Sequence, residues 1–165
     1  MLDACQQASY CIGTDASYKG QCVACLAVIV QRSQQTILEH ACPCSANSSF
    51  DGELQALCDT LEYVTSMLCG RVLVIGDNEA ALQALIDNSW HSGFPISLRI
   101  CQLLKHWFIS SPSNLLQFRW FPGHMGLELN ELADALAGTP LPCVHPPLVS
   151  TLASSHGQSG LRLAG

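Results

Sequence analysis

Two short apolar runs in this chain stop on an aspartate: Tyr10-Cys11-Ile12-Gly13-Thr14-Asp15, and Val72-Leu73-Val74-Ile75-Gly76-Asp77. Each reads as a strand that delivers a carboxylate to one edge of a sheet. A carboxylate beside buried apolar residues is costly unless something offsets its charge. Several of them can share that cost around a divalent cation, whose oxygen ligands they become. A fold for this chain therefore has to bring acids from separate strands to one edge.

The intervening pattern supplies such a sheet. Tyr10–Asp15 forms the first expected strand, and a turn at Lys19-Gly20 leads into Gln21–Val30, apolar on both faces. The polar turn Gln31-Arg32-Ser33-Gln34 returns the chain through Gln35–Cys42, whose mixed pattern suits an edge strand. The period then changes. Leu54, Leu57, Leu61, Val64 and Leu68 fall three and four apart, one face of a helix that Gly70 ends. After the strand at Val72–Ile75, Ala81, Leu82, Leu85 and Ile86 stripe a second helix, and Ile100, Leu103, Leu104 and Trp107 a third. Leu115–Phe121 alternates as a strand, with Leu116, Phe118 and Trp120 on one face. A loop at Pro122–Gly126 follows, hinged by its glycines, and Leu129–Ala137 is the last helix. This order predicts an α/β fold: a five-stranded mixed sheet, an antiparallel meander plus parallel strands, with helices on both faces. Ligands in such sheets sit where strands end and helices begin.

At 165 residues the chain suits one domain with a proper core. Residues 1–8 read as a disordered lead-in and 9–138 as the domain. The Pro- and Ser-rich stretch 139–165 reads as a flexible tail. The longest apolar run, Cys22–Val30, is nine residues, too short to cross a bilayer. The N-terminus shows no secretory pattern, so an intracellular protein of nucleus or cytoplasm is expected. Its ten cysteines are then reduced, small apolar residues. The net charge of −6 looks wrong for a protein that grips polyphosphate, but two divalent ions would cancel four of those charges.

Two more acids can join Asp15 and Asp77. Glu53 lies just ahead of Leu54, in the first turn expected for the first helix, and Asp134 lies beside the buried stripe of the last. A single acid of this kind is more often a solvated helix end, and Glu53 suits a helix dipole with no metal at all. Four acids on four elements at one edge suit two hard cations, which together can activate a water and stabilise the leaving oxygen of a phosphodiester.

The residues around these acids carry a resemblance. Gly13-Thr14-Asp15-Ala16-Ser17, Asp51-Gly52-Glu53-Leu54-Gln55-Ala56-Leu57 and Ile75-Gly76-Asp77-Asn78-Glu79-Ala80-Ala81-Leu82 resemble three signatures of the type 1 ribonuclease H family. The fourth is Trp120-Phe121-Pro122-Gly123-His124-Met125-Gly126 followed by Asn130-Glu131-Leu132-Ala133-Asp134, similar to that family in identity and spacing. Its wording most resembles ribonuclease H domains of eukaryotic non-LTR retrotransposon polyproteins. The resemblance spans residues 9–138. It implies the ribonuclease H-like fold and hydrolysis of the RNA strand of RNA–DNA hybrids. It implies Asp15, Glu53, Asp77 and Asp134 as ligands of two Mg²⁺, or Mn²⁺, with Asp15 bridging them. His124 would assist proton handling or product departure, and Asn130 would help to position the substrate.

Two departures stand against the family pattern. Phe50 occupies the place where an asparagine often contacts the minor groove, leaving Asn47, Ser48 and Ser49 as nearby polar substitutes, and Ser17 as a further substrate contact. No Lys or Arg lies between Asp87 and Ile96, where some members carry a basic protrusion. Weak, salt-sensitive hybrid binding is expected. The expected partners are the hybrid and a reverse transcriptase domain in the same chain, with no membrane, and the domain as a monomer. The rivals are a non-catalytic module of the same fold and a DNA-acting nuclease.

Other features read as packing. A hairpin centred near Ser33 would set Cys22 opposite Cys42 or Cys44, which makes a disulfide or metal clip conceivable, but free buried thiols are the stronger expectation. His40, His91, His106, His145 and His156 group with no acid or cysteine, and Trp90, Trp107 and Trp120 read as packing residues.

Overall fold

A computed structural model of the chain describes residues 7–20, 23–87 and 90–139. Five strands, β1 (Tyr10–Gly20), β2 (Val23–Arg32), β3 (Gln35–Ser45), β4 (Arg71–Gly76) and β5 (Leu115–Trp120), form one sheet in the order β3-β2-β1-β4-β5. The first three make an antiparallel meander, and β4 and β5 add in parallel on the other side of β1. The helices are α1 (Ser49–Met67), α2 (Glu79–Gln83), α3 (Phe94–Ser110) and α4 (Glu128–Gly138).

Strand alternation sorts the core into two layers. Ile12, Val28, Val30, Val72 and Val74 face α1, whose Leu54, Leu57, Leu61 and Val64 are fully buried against them. Ile29, Leu73 and Ile75 project from the other face and meet Leu129 and Ala133 of α4. Helices thus cover both faces, as the pattern predicts. Ala8 also packs against the α4 layer, so residue 8 belongs with the core rather than with a loose lead-in. The rest of that lead-in, residues 1–6, and the tail beyond Thr139 lie outside the described residues.

Far from the strand-end acids, Asn114 fastens two turns together. It is 4% exposed, accepts from the Gly70 N–H at 3.0 Å and donates to the Trp107 carbonyl at 2.8 Å. The Trp107 indole donates to Leu68 O at 2.9 Å, satisfying a carbonyl at the C-terminal end of α1. Gly70, at φ 96, makes the turn out of that helix.

Several expectations need correction. Strand β1 does not stop at Asp15 but continues to Gly20, with Asp15 opposite Ala27. What stops nearby is the parallel ladder to β4, whose last pair is Gly13↔Ile75. Helix α1 starts at Ser49, capped by Ser48, whose side chain accepts from Asp51 N, so Glu53 lies in the second turn rather than the first. The second helix ends at Gln83 and leaves Ile86 85% exposed. The β2–β3 register sets Ala24 against Cys44 and Leu26 against Cys42, so those two positions are not left for Cys22, which itself lies outside the described residues. Burial raises the thiols of Cys25, Cys42, Cys44 and Cys58 above their usual range, the last two to about 11, which keeps them protonated. Of the three tryptophans, only Trp107 is buried. Trp90 is 82% and Trp120 47% exposed.

Candidate metal centre

The site forms where β1 and β4 part. Strand β4 ends at Gly76 and turns away into α2, while β1 runs on, paired only with β2. Asp15 follows the last parallel pair by two residues, and Asp77 is the first residue past β4. Their carboxylates thus open onto the gap left by the end of the ladder. This is the sheet's switch point, where connections leave in opposite directions.

Glu53 reaches the same gap because α1 lies close to the sheet. A methyl group on Gly52 would already touch Ala24 at 3.3 Å and Ala16 at 3.4 Å. The four residues Ala16, Ala24, Ala46 and Gly52 are small, so the helix axis approaches and its next residue projects toward Asp15. From the opposite face α4 comes closer still. A Cβ on Gly13 would lie 2.6 Å from the main-chain oxygen of Leu129, so only glycine fits there.

The result is one cluster: ligand oxygens of Asp15, Glu53 and Asp77 all lie within 4.8 Å of one another. Asp15 and Glu53 are each 7% exposed, and Asp77 is half-buried. Burial among like charges raises all three. Asp15 is pushed up to about 6, by burial first and then by Asp77 and Asp134. Glu53 rises to about 9, by burial and then by Asp15 and Asp77, against a lowering hydrogen bond from the Ala16 backbone. Asp77 moves in the same direction through burial and Asp134. A donor set made only of carboxylate oxygens, mutually repelling and drawn out of water, fits a hard divalent cation such as Mg²⁺ or Mn²⁺.

Asp134 stands beside this trio rather than in it. Its side chain is half exposed, and its Oδ2 lies 3.8 Å from Nδ1 of His124, whose side chain is 84% exposed. The field of Asp134 nevertheless reaches Asp15, Glu53 and Asp77. His124 has φ 58 and Gly126 φ 77, so the left-handed bends of the β5–α4 loop fall at these residues and not at Gly123.

The fold has counterparts among solved structures. The N-terminal RNase H domain of Rv2228c from Mycobacterium tuberculosis, solved as a fusion with maltose-binding protein, matches with a TM-score of 0.64 at 15% identity, over 78% of this chain and 89% of that one. LC11-RNase H1, isolated from compost by a metagenomic approach, matches with a TM-score of 0.57 at 20% identity, over 78% of this chain and 91% of that one. The fold is the ribonuclease H fold. No protein-family model matches the sequence, and no curated protein does.

Within this ribonuclease H fold, the remaining expected site residues fall in different settings. Ser49 and Asn47 are exposed at the N-terminal end of α1, and the Asn47 carbonyl accepts from the Tyr18 hydroxyl at 3.4 Å. Ser17 is partly buried on β1 and accepts from Lys19 Nζ at 2.8 Å. Asn130 is only 3% exposed, and its Oδ1 has no hydrogen-bond partner among the described residues. This enclosure leaves its side chain little surface for direct contact with a substrate. Phe50 turns inward, edge-on to the His91 ring at 5.7 Å, so it leaves no minor-groove contact at its position.

Two neighbours of the carboxylate cluster escaped the sequence reading. The Trp120 indole donates to the Asp77 carbonyl at 2.8 Å. Gly123 lies so close that a Cβ there would sit 2.9 Å from Asp77 Oδ2. The signal for Trp120 was present only in the strand register, which pairs it with Gly76, the residue before Asp77.

Proposed function

We propose that this chain is a metal-dependent endonuclease that hydrolyses the RNA strand of RNA–DNA hybrids. The observation that carries the reading is the meeting of Asp15, Glu53 and Asp77 within 4.8 Å, at the sheet edge where this fold opens. The likeness of the fold to two RNase H structures supports the substrate class. The motif from Trp120 through Asp134, with its resemblance to hybrid-cutting members, favours this class over a DNA-acting nuclease.

Asp15, Glu53, Asp77 and Asp134 are the residues that would hold two Mg²⁺ ions, or Mn²⁺ in their place. When bound, such ions supply charge neutralisation, activation of a water and stabilisation of the leaving oxygen of a phosphodiester. The protein's own part is to keep three carboxylates converged against their repulsion, with Asp15 central to the set. His124, exposed and within 3.8 Å of Asp134, is placed to hold or pass a proton at Nδ1 as product leaves. Asn47 and Ser49, at the exposed start of α1, offer polar groups to 2′-hydroxyls of the RNA strand. In this reading residues 9–138 form the catalytic domain of a reverse-transcribing polyprotein, acting as a monomer inside the cell.

The test is a labelled hybrid incubated with Mg²⁺ and either wild type or Asp77→Asn. Wild type cuts only the RNA strand, and the variant loses about 100-fold or more of the rate, the scale expected when a metal's immediate surroundings are altered. Equal rates in both, or none in the wild type, would remove the assignment.

A further inference from the structure

Asp77 is the most exposed member of the carboxylate trio and stands beyond the last residue of its strand. No ladder bond holds it, and the charges around it push it toward solvent. Two hydrogen bonds oppose that drift, and a glycine leaves room for the side chain. Phe121 N–H donates to Gly76 O at 3.1 Å, carrying the β4–β5 ladder one step past the last pair, Gly76↔Trp120. The Trp120 indole then reaches beyond the ladder's end and donates from Nε1 to the Asp77 carbonyl at 2.8 Å. On the side-chain flank, Gly123 closes in on Oδ2, with only 2.9 Å left for any added Cβ. On the far side of Asp77, Asn78 caps α2 by accepting from Ala81 N at 3.0 Å.

We propose that Trp120 and Gly123 are positioning residues for the centre, fixing respectively the main chain and the carboxylate of Asp77. The inference rests on the metal-centre reading above. Trp120 supplies the donor that a longer strand would have supplied, and does so where a strand is forbidden because the chain must turn away to open the site. Gly123 acts through the side chain it lacks. A Cβ there would crowd Oδ2 at 2.9 Å and push the Asp77 carboxylate from its place, so glycine leaves the space that the carboxylate fills. Because His124 follows Gly123 directly, the same contact sets the histidine loop against the trio.

The test measures cation binding rather than turnover. Mn²⁺ is titrated calorimetrically into wild type, Trp120→Phe, Gly123→Ala and the control Trp90→Phe, whose 82% exposed ring stacks on Phe94 instead. Metal-free unfolding is recorded for each. Trp120→Phe and Gly123→Ala are expected to bind Mn²⁺ about 10- to 100-fold more weakly, the usual cost of losing a group that orients a ligand. Their metal-free melting temperatures should stay within about 4 °C of wild type. Mn²⁺ should quench tryptophan fluorescence in wild type and in Trp90→Phe, and the quench should vanish in Trp120→Phe. Wild-type affinity in both site variants overturns the proposal, and so does a loss of affinity that merely tracks a collapse of metal-free stability. Should Trp120→Phe fail to fold, Gly123→Ala decides alone. Mn²⁺ uptake by wild type without hybrid cleavage sinks the nuclease reading and leaves this one standing, whereas absence of any uptake sinks both.

Discussion

The main-chain oxygen of Leu129 lies where a side chain on Gly13 would begin, 2.6 Å from the site of a Cβ. Helix α4 therefore rests directly on the backbone of β1, two residues before Asp15. This contact sets the depth at which α4 lies, and with it the positions of Asp134 and of the end of the His124 loop. Gly13→Ala should lift α4, cost about 3 kcal/mol by overpacking and lower the melting temperature by about 10 °C. Calorimetric unfolding checks this, and a change of under about 2 °C would show that the helix yields freely.

The raised carboxylates fix the sign of the pH dependence. Unfolded, Asp15 and Glu53 lose their protons near 4, whereas folded they hold them to about 6 and about 9. Between those values the folded state binds more protons, so metal-free stability falls as pH rises through that window. Thermal unfolding in a chelator should give a melting point about 5–10 °C higher at pH 5 than at pH 8.5. Millimolar Mn²⁺ should flatten the slope by replacing protons with a cation. A melting point that climbs from pH 5 to 8.5 without cation would contradict the geometry of the trio.

Removal of one charge should separate stability from binding. Asp15→Asn relieves the repulsion on Glu53 and should stabilise the metal-free protein at pH 8 by about 1–3 kcal/mol. The same change should abolish Mn²⁺ uptake in calorimetry. A variant that loses stability at pH 8 would mean that Asp15 is held by something other than its acidic neighbours.

Hybrid binding should be weak and strongly dependent on salt. The chain has seven Lys and Arg, of which Arg99 is engaged by Glu62 at 2.6 Å and Arg32 lies over the Tyr10 ring at 5.7 Å. Five others remain, Arg162 among them outside the described residues, and with about two or three of these meeting phosphates the logarithmic salt slope should be roughly −2 to −3. Fluorescence anisotropy of a labelled hybrid across a salt series measures it. Nanomolar binding at physiological salt would refute the estimate.

The β2–β3 turn carries Ser33 at φ 50 and Gln34 at φ 63, both left-handed and neither glycine. Asn-Gly suits such a two-residue turn far better. The double change Ser33→Asn, Gln34→Gly should therefore stabilise the fold by about 1 kcal/mol, a rise of about 3 °C in the melting temperature. No rise in the melting temperature would mean that the strain is relieved elsewhere in the hairpin.

Periodicity alone determined much of this protein. The stripe of Leu54, Leu57, Leu61 and Val64 and the apolar run Val72–Ile75 each have one way to hide from water, and that choice settled the helix, the buried strand and the sheet between two layers. Asp15, Glu53 and Asp77 were legible because charge beside apolar runs is expensive wherever the chain puts it. Tertiary structure decided the rest. That β1 runs past Asp15, that Asp134 stands beside the trio, and that Asn130 is enclosed all depend on where the β1–β4 ladder ends and how deeply α4 settles on Gly13. Trp120 read as one more packing residue until strand register set it opposite Gly76, next to Asp77. Local pattern records what a residue avoids. Which partner it finds depends on pairing between distant segments, and no short stretch of sequence contains that information.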